Sequence, residues 1–223
     1  MMTKANNSIT AVDIDLRRRS FLALAVAAAV PASRRASASP AQAEAAATIA
    51  RFDDALLRVM QAGTATEFSR RFDLIAPPVD QTFDLPAVLA VSIGPGWPTL
   101  PPDQRARLLT EFRRYTVASY VANFDVYSGQ RFTILPEIRS LDAGRVVVQT
   151  CLTSVDGKAT RLDYVMEPTS GNWKAVDVLA AGSISRVAVQ RSDFRHVLSQ
   201  GGGDALAASL RRKTSYLSGN ALA

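Results

Sequence analysis

Residues 131–181 read RFTILPEIRSLDAGRVVVQTCLTSVDGKATRLDYVMEPTSGNWKAVDVLAA. Four runs in this stretch, residues 131–140, 145–155, 159–167 and 172–181, are rich in β-branched and aromatic residues and alternate in polarity, as half-buried strands do. Asp142-Ala143-Gly144, Asp156-Gly157 and Ser170-Gly171-Asn172 separate them. Asp156-Gly157 is a tight-hairpin signal, in which both central residues take positive φ. Connections this short force antiparallel neighbours, so the stretch predicts a four-stranded meander. Parity places Val146, Val148, Thr150 and Leu152 on one face, and Leu162, Tyr164 and Met166 on one face of the next strand. Phe132, Ile134 and Ile138 align on the first strand, with Pro136 between them as an edge or bulge signal.

Helices flank the strands. Ile49, Phe52, Leu56, Leu57 and Met60 recur at helical spacing over residues 45–61. A short helix is expected over residues 66–74, closed by Pro77-Pro78. Asp84-Leu85-Pro86 reads as a cap and first turn, and Gly94-Pro95-Gly96-Trp97-Pro98 as the loop that ends that helix. Trp97 there is either a lid over a cavity or a plug. Residues 102–126 carry the longest apolar 3.6-residue period. After the strands, residues 185–199 and 205–213 read as helices broken at Gly201-Gly202-Gly203. Strands gathered in one block between helices indicate an α+β domain, here a curved sheet covered by helices around an apolar pocket or a filled core.

The N-terminal residues read differently. Arg18-Arg19-Ser20-Phe21-Leu22 opens a short apolar run to Val30, the pattern of an export signal of twin-arginine type. Small-residue sites at Ala36-Ser37-Ala38 and Ala41-Gln42-Ala43 place cleavage near 38 or 43. This divides the chain into a signal at 1–38, one domain at 44–217 and a frayed tail at 218–223. Residues 1–38 hold six of the 26 Lys and Arg and two of the 20 Asp and Glu, so +4 of the net +6 belongs to the signal. The remainder, near neutrality, offers nucleic acid little.

Chemistry is sparse. One His (His196) and one Cys (Cys151) exclude a Cys/His zinc site, a disulfide and any two-histidine mechanism. No phosphate-cradling glycine motif occurs. No catalytic residue, metal or cofactor is therefore assigned. Asp163 and Asp177, with Tyr164, are the acids that could line a cavity, as in ketosteroid-isomerase-type proton transfer. Alternatively, they pair with Arg161, Lys174 or Arg191. Asp177 and Arg191 are expected to tie the last strand to the next helix.

Trp173-Lys174-Ala175-Val176-Asp177-Val178, then Gly182-Ser183, then Arg191-Ser192-Asp193-Phe194 resembles the signature of the toluene-tolerance (MlaC-like) family. Tyr120, the Tyr127-Ser128-Gly129 turn and Tyr164 resemble its other elements. The run Ser185–Phe194 is most similar to the hopanoid-associated HpnM branch. The resemblance implies an NTF2-like cone and a periplasmic carrier of phospholipid or hopanoid. Its partners would be an inner-membrane ABC or RND-type transporter and an outer-membrane complex. The cargo's apolar part would lie between sheet and helices. The residues expected to wall that pocket are Leu85, Leu89, Trp97, Phe112 and Tyr115 on the helical side. On the strands they are Phe132, Ile134, Val148, Leu152, Tyr164, Met166, Val176 and Val178. The alternatives are an NTF2-like enzyme using a buried carboxylate, and a partner-binding module with no ligand.

Overall fold

Ser39 and Gln42 cap each other: Ser39 Oγ accepts from the Gln42 N–H, and the Gln42 side chain accepts from the Ser39 N–H. That capping box starts helix α1 (Pro40–Ala62). The computed structural model describes residues 39–222, so the expected export signal and the cleavage site near 38 lie outside the described residues. The second expected site, Ala41-Gln42-Ala43, falls in the first turn of α1.

Helix α2 (Phe68–Thr82) continues through Pro77 and Pro78, which were expected to close it. A proline ring holds a helical φ, but it removes the N–H bond to the carbonyl four residues back and crowds that carbonyl. Those carbonyls belong to Asp73 and Leu74, which are exposed and can bond water. Lys174 Nζ closes the helix instead, donating to the carbonyls of Asp80 (2.8 Å) and Gln81 (2.7 Å). A cation there also suits the helix dipole. Helix α3 (Leu85–Ile93) starts where expected, with Asp84 accepting from the Ala87 N–H. Helix α4 (Pro102–Asn123) stops three residues before the sequence reading ends it.

The sheet has five antiparallel strands, not four, in the order β1 (Arg131–Ser140), β2 (Val146–Thr153), β3 (Ala159–Thr169), β4 (Asn172–Ala180) and β5 (Ile184–Ser185). Two residues carry no alternation, which is why β5 escapes sequence reading. The chain reverses into β5 through Ala181 (φ 52°) and Gly182 (φ 75°). The β2–β3 hairpin also differs from expectation. Ser154 N–H donates to Lys158 O, closing a three-residue loop in which only Gly157 has positive φ, 80°.

Two bulges break the parity. Leu135-Pro136-Glu137 loops out between the Ile134–Thr150 and Ile138–Val148 pairs. In β4, Asp177 pairs with Val165 and Ala175 with Met166, leaving Val176 without a partner. The core-facing residues of β4 are therefore Trp173, Ala175 and Val178, and Val176 leaves the core face that strict alternation with Val178 predicted.

Helix α5 (Arg186–Leu217) bends at Gly201 and Gly202, the latter at φ 62°. It runs to Leu217, beyond the Lys213 end expected. Ser218 is buried, and Arg114 Nη2 donates to the Leu222 carbonyl (2.7 Å), so the turn after α5 is tied to α4.

Candidate functional site

The inner face of the sheet has a closed end and an open end. At the closed end Val146, Met166, Trp173 and Ala175 are buried, and α1 packs across β1, β2 and β4. Val148 and Tyr164, cross-strand neighbours, are sealed at 0% and 1% exposure. At the open end Phe132, Ile134, Leu152 and Leu162 are only half-buried, and so is Val178, which lies beside Tyr164 on the next strand. Leu152 lies opposite Phe132 and is not part of the packed core. The apolar face thus continues past the point where helices cover it.

Aromatic rings connect the two ends. Phe83 packs edge-on to Phe52 (5.2 Å between centroids), and Phe52 edge-on to Tyr120 (5.1 Å). Tyr120 stacks on Phe124 (6.1 Å), and Phe124 meets Phe132 (6.1 Å). Tyr164 joins the file through Phe52 at 6.3 Å. Rings at these separations attract one another beyond simple area burial. The file runs from the core to the first residues of β1.

An unpaired carboxyl lies in this interior. Asp53 on α1 is buried, and neither carboxylate oxygen has a hydrogen-bond partner. Burial, with a smaller contribution from the Asp54 charge, pushes its pKa up to about 8. Burial also raises the Tyr120 and Tyr164 phenols above their ordinary range, and the Asp53 charge adds to both shifts. The Arg186 charge opposes the shift at Tyr120. A carboxyl and two phenols therefore share this part of the core.

The predicted wall residues divide accordingly. Leu85, Leu89, Phe112, Val148, Tyr164 and Met166 belong to the packed core, and Phe112 is spent against Phe194 of α5 (6.2 Å). Trp97, Tyr115, Phe132, Ile134 and Val178 are half-buried against that core. Leu152 lies at the open end, and Val176 in the bulge. Sequence reasoning missed Phe52, Phe124 and Leu162 as site residues, and Asp53 altogether. The signal for Asp53 was present: Ile49, Asp53, Leu56 and Met60 form one helical stripe, in which only Asp53 is charged.

The two acids proposed from sequence are engaged. Asp163 is buried on the opposite sheet face from Tyr164 and accepts both Arg161 nitrogens at 2.9 and 3.0 Å. Asp177 accepts from the Ser185 hydroxyl and from the Val187 N–H (3.1 Å), so it binds the N-terminus of α5. Among the described residues its partner is not Arg191, whose guanidinium lies beside Gly94. His196 is exposed, and Cys151 is half-buried rather than sealed.

Three surface concavities, of about 660, 510 and 350 Å³, lie at the helical surface and at the α1–α2–β4 junction. Of the predicted wall residues, only Tyr115 lines one of them, the 350 Å³ groove between α4 and α5.

The family model described as MlaC protein matches residues 50–212. Among solved structures, the chain is similar to the phospholipid-binding protein from Ralstonia solanacearum, solved in complex with a phospholipid. The two are 22% identical with a TM-score of 0.69, over 78% of this chain and 98% of that one. That likeness shows a shared fold.

Proposed function

The chain belongs to the MlaC protein family, and from that premise we propose that it is a lipid carrier of the periplasm. The observation that carries the reading is the half-exposed apolar face at the open end of the sheet, joined to the core by the aromatic file. Acyl chains or a polycyclic hydrocarbon laid on Phe132, Leu152, Leu162 and Val178 would extend the core. At about 25 cal/mol per Å² of apolar surface removed from water, such burial holds a lipid with no polar anchor. The Ralstonia protein of the same fold was solved with a phospholipid, which supports phospholipid as cargo, while the HpnM-like run Ser185–Phe194 favours a hopanoid.

In this reading the N-terminal signal directs export and is removed. The carrier then exchanges lipid between an ABC or RND-type inner-membrane transporter and an outer-membrane complex. It binds and releases, and transforms nothing. Asp163 and Asp177 are engaged by Arg161 and by α5, which removes both from an enzymatic role. Asp53 beside two tyrosines favours a second reading, an NTF2-like enzyme with a buried acid.

Native mass spectrometry of protein purified from the periplasm, followed by solvent extraction, tests the carrier. The expected result is a bound mass that extracts as phospholipid or hopanoid. An empty protein that also takes nothing from liposomes overturns the reading.

A further inference from the structure

The groove between α4 and α5 is lined by Tyr115, Ser119 and Asn123 from α4, and by Arg186, Arg212 and Lys213 from α5, among others. No acidic residue lines it. Among the described residues, Arg186, Arg212 and Lys213 make no ion pair. The neighbouring Arg211, in contrast, is paired with Glu111 at 3.4 Å. Lys213 Nζ sits 5.7 Å over the Tyr115 ring, which orients the ammonium without neutralising it. Three uncompensated cations around a concavity of about 350 Å³ repel one another until an anion enters.

The groove and the aromatic file share helix α4: Tyr115, which lines the groove, and Tyr120, which belongs to the file, are both half-buried against the same core. The Arg186 charge is felt at the Tyr120 phenol. Tyr115, Ser119 and Asn123 follow one another at four-residue spacing on one face of α4, and Tyr120 lies on the adjoining face. An amphipathic ligand with its apolar part on the file would bring its head to Arg186.

We propose that this groove is a subsite for a phosphate-bearing, net anionic headgroup, held by Arg186, Arg212 and Lys213. The inference rests on the carrier reading and narrows it. A neutral hopanoid has no group for three cations. A zwitterionic headgroup brings its own cation into a basic groove and is disfavoured. A phosphatidylglycerol-type head, a phosphodiester with no cation, fits the charge.

The test is competition for loading. Purified protein is incubated with vesicles of phosphatidylglycerol and phosphatidylcholine in equal amounts and separated from them. The protein-bound lipid is then extracted and quantified. Three exposed charge contacts, each modest, together predict a preference for phosphatidylglycerol of about tenfold. The variant Arg186→Gln/Arg212→Gln/Lys213→Gln is expected to lose the preference by loading less phosphatidylglycerol, with phosphatidylcholine uptake reporting whether the apolar site is still intact. Arg186→Lys/Arg212→Lys keeps the charge and is expected to keep the preference. If the triple variant does not fold, Arg212→Gln alone is expected to lower the preference about twofold.

Undiminished preference in a folded charge-removing variant, or no preference in the wild type, overturns the subsite and leaves the carrier standing. No uptake of either lipid by any variant or the wild type overturns the carrier. Titration with glycerol 3-phosphate then decides the groove by itself. Saturable binding lost in the charge-removing variant supports an anion site serving a soluble phosphate ester, and no binding overturns it.

Discussion

Asp53 stands in the apolar stripe of α1 with both oxygens unpaired. Burial raises its pKa from 3.8 to about 8, so at neutral pH the folded chain keeps a proton there that the unfolded chain has released. The sign follows from the proton count. Stability falls as pH rises from about 4 to about 8, where Asp53 ionises in the fold, and levels off above. The cost of the charge is about 6 kcal/mol at most. Asp53→Asn removes the titrating group at nearly constant volume. The variant's melting temperature is expected to exceed that of wild type at pH 8.5 by clearly more than at pH 5. Equal differences at the two pH values would show that Asp53 finds a partner in solution. Tyr164 was recognised from its strand alternation and Asp53 was not, because a period marks which face a residue takes but not whether a charge on that face is answered.

Asp177 is where β4, β5 and α5 meet. Its carboxylate receives the Ser185 hydroxyl of β5 and the Val187 N–H in the first turn of α5. Ser185 in turn caps α5 by accepting from the Ala188 N–H (2.9 Å). Hydrogen bonds to a charged acceptor contribute more than neutral ones. Asp177→Ala is therefore expected to cost about 2 kcal/mol in urea unfolding, whereas Arg191→Ala stays within about 0.5 kcal/mol. A large loss at Arg191 would restore the pair expected from sequence. The helices were legible from caps: Asp84 starts α3 as expected, because capping is local chemistry. Pro77 and Pro78 misled for the opposite reason. What they remove from α2 is replaced by solvent at exposed carbonyls, and its end is set by Lys174, more than ninety residues away in sequence.

For the whole molecule, the division between closed and open ends of the sheet has a direct consequence. Leu152 lies at the open end and Val148 in the sealed core, four residues apart on one face of β2. Leu152→Glu is expected to leave the fold intact and reduce bound lipid severalfold, by solvent extraction of the purified protein. Val148→Glu buries an unpaired charge and is expected to unfold the domain before any question of lipid arises. A Leu152→Glu protein with undiminished lipid would move the cargo away from the open end.

Alternation, turn residues and helical periods lie within a few residues of chain. From them the sequence alone determined an α+β domain, the four long antiparallel strands and the helices around them. The Trp173–Asp177 and Arg191–Phe194 motifs pointed to the family that the match over residues 50–212 establishes. Tertiary structure alone decided that a bulge turns Val176 off the face of Val178, and that a two-residue strand forms one edge of the sheet. It also decided that Phe52, Tyr120, Phe124 and Phe132 form one file, and that Arg186, Arg212 and Lys213 share one groove. Each of these depends on how distant segments meet. A period of 2 or 3.6 residues assigns a side chain to a face, but only packing determines what that face meets and whether the space beside it is filled.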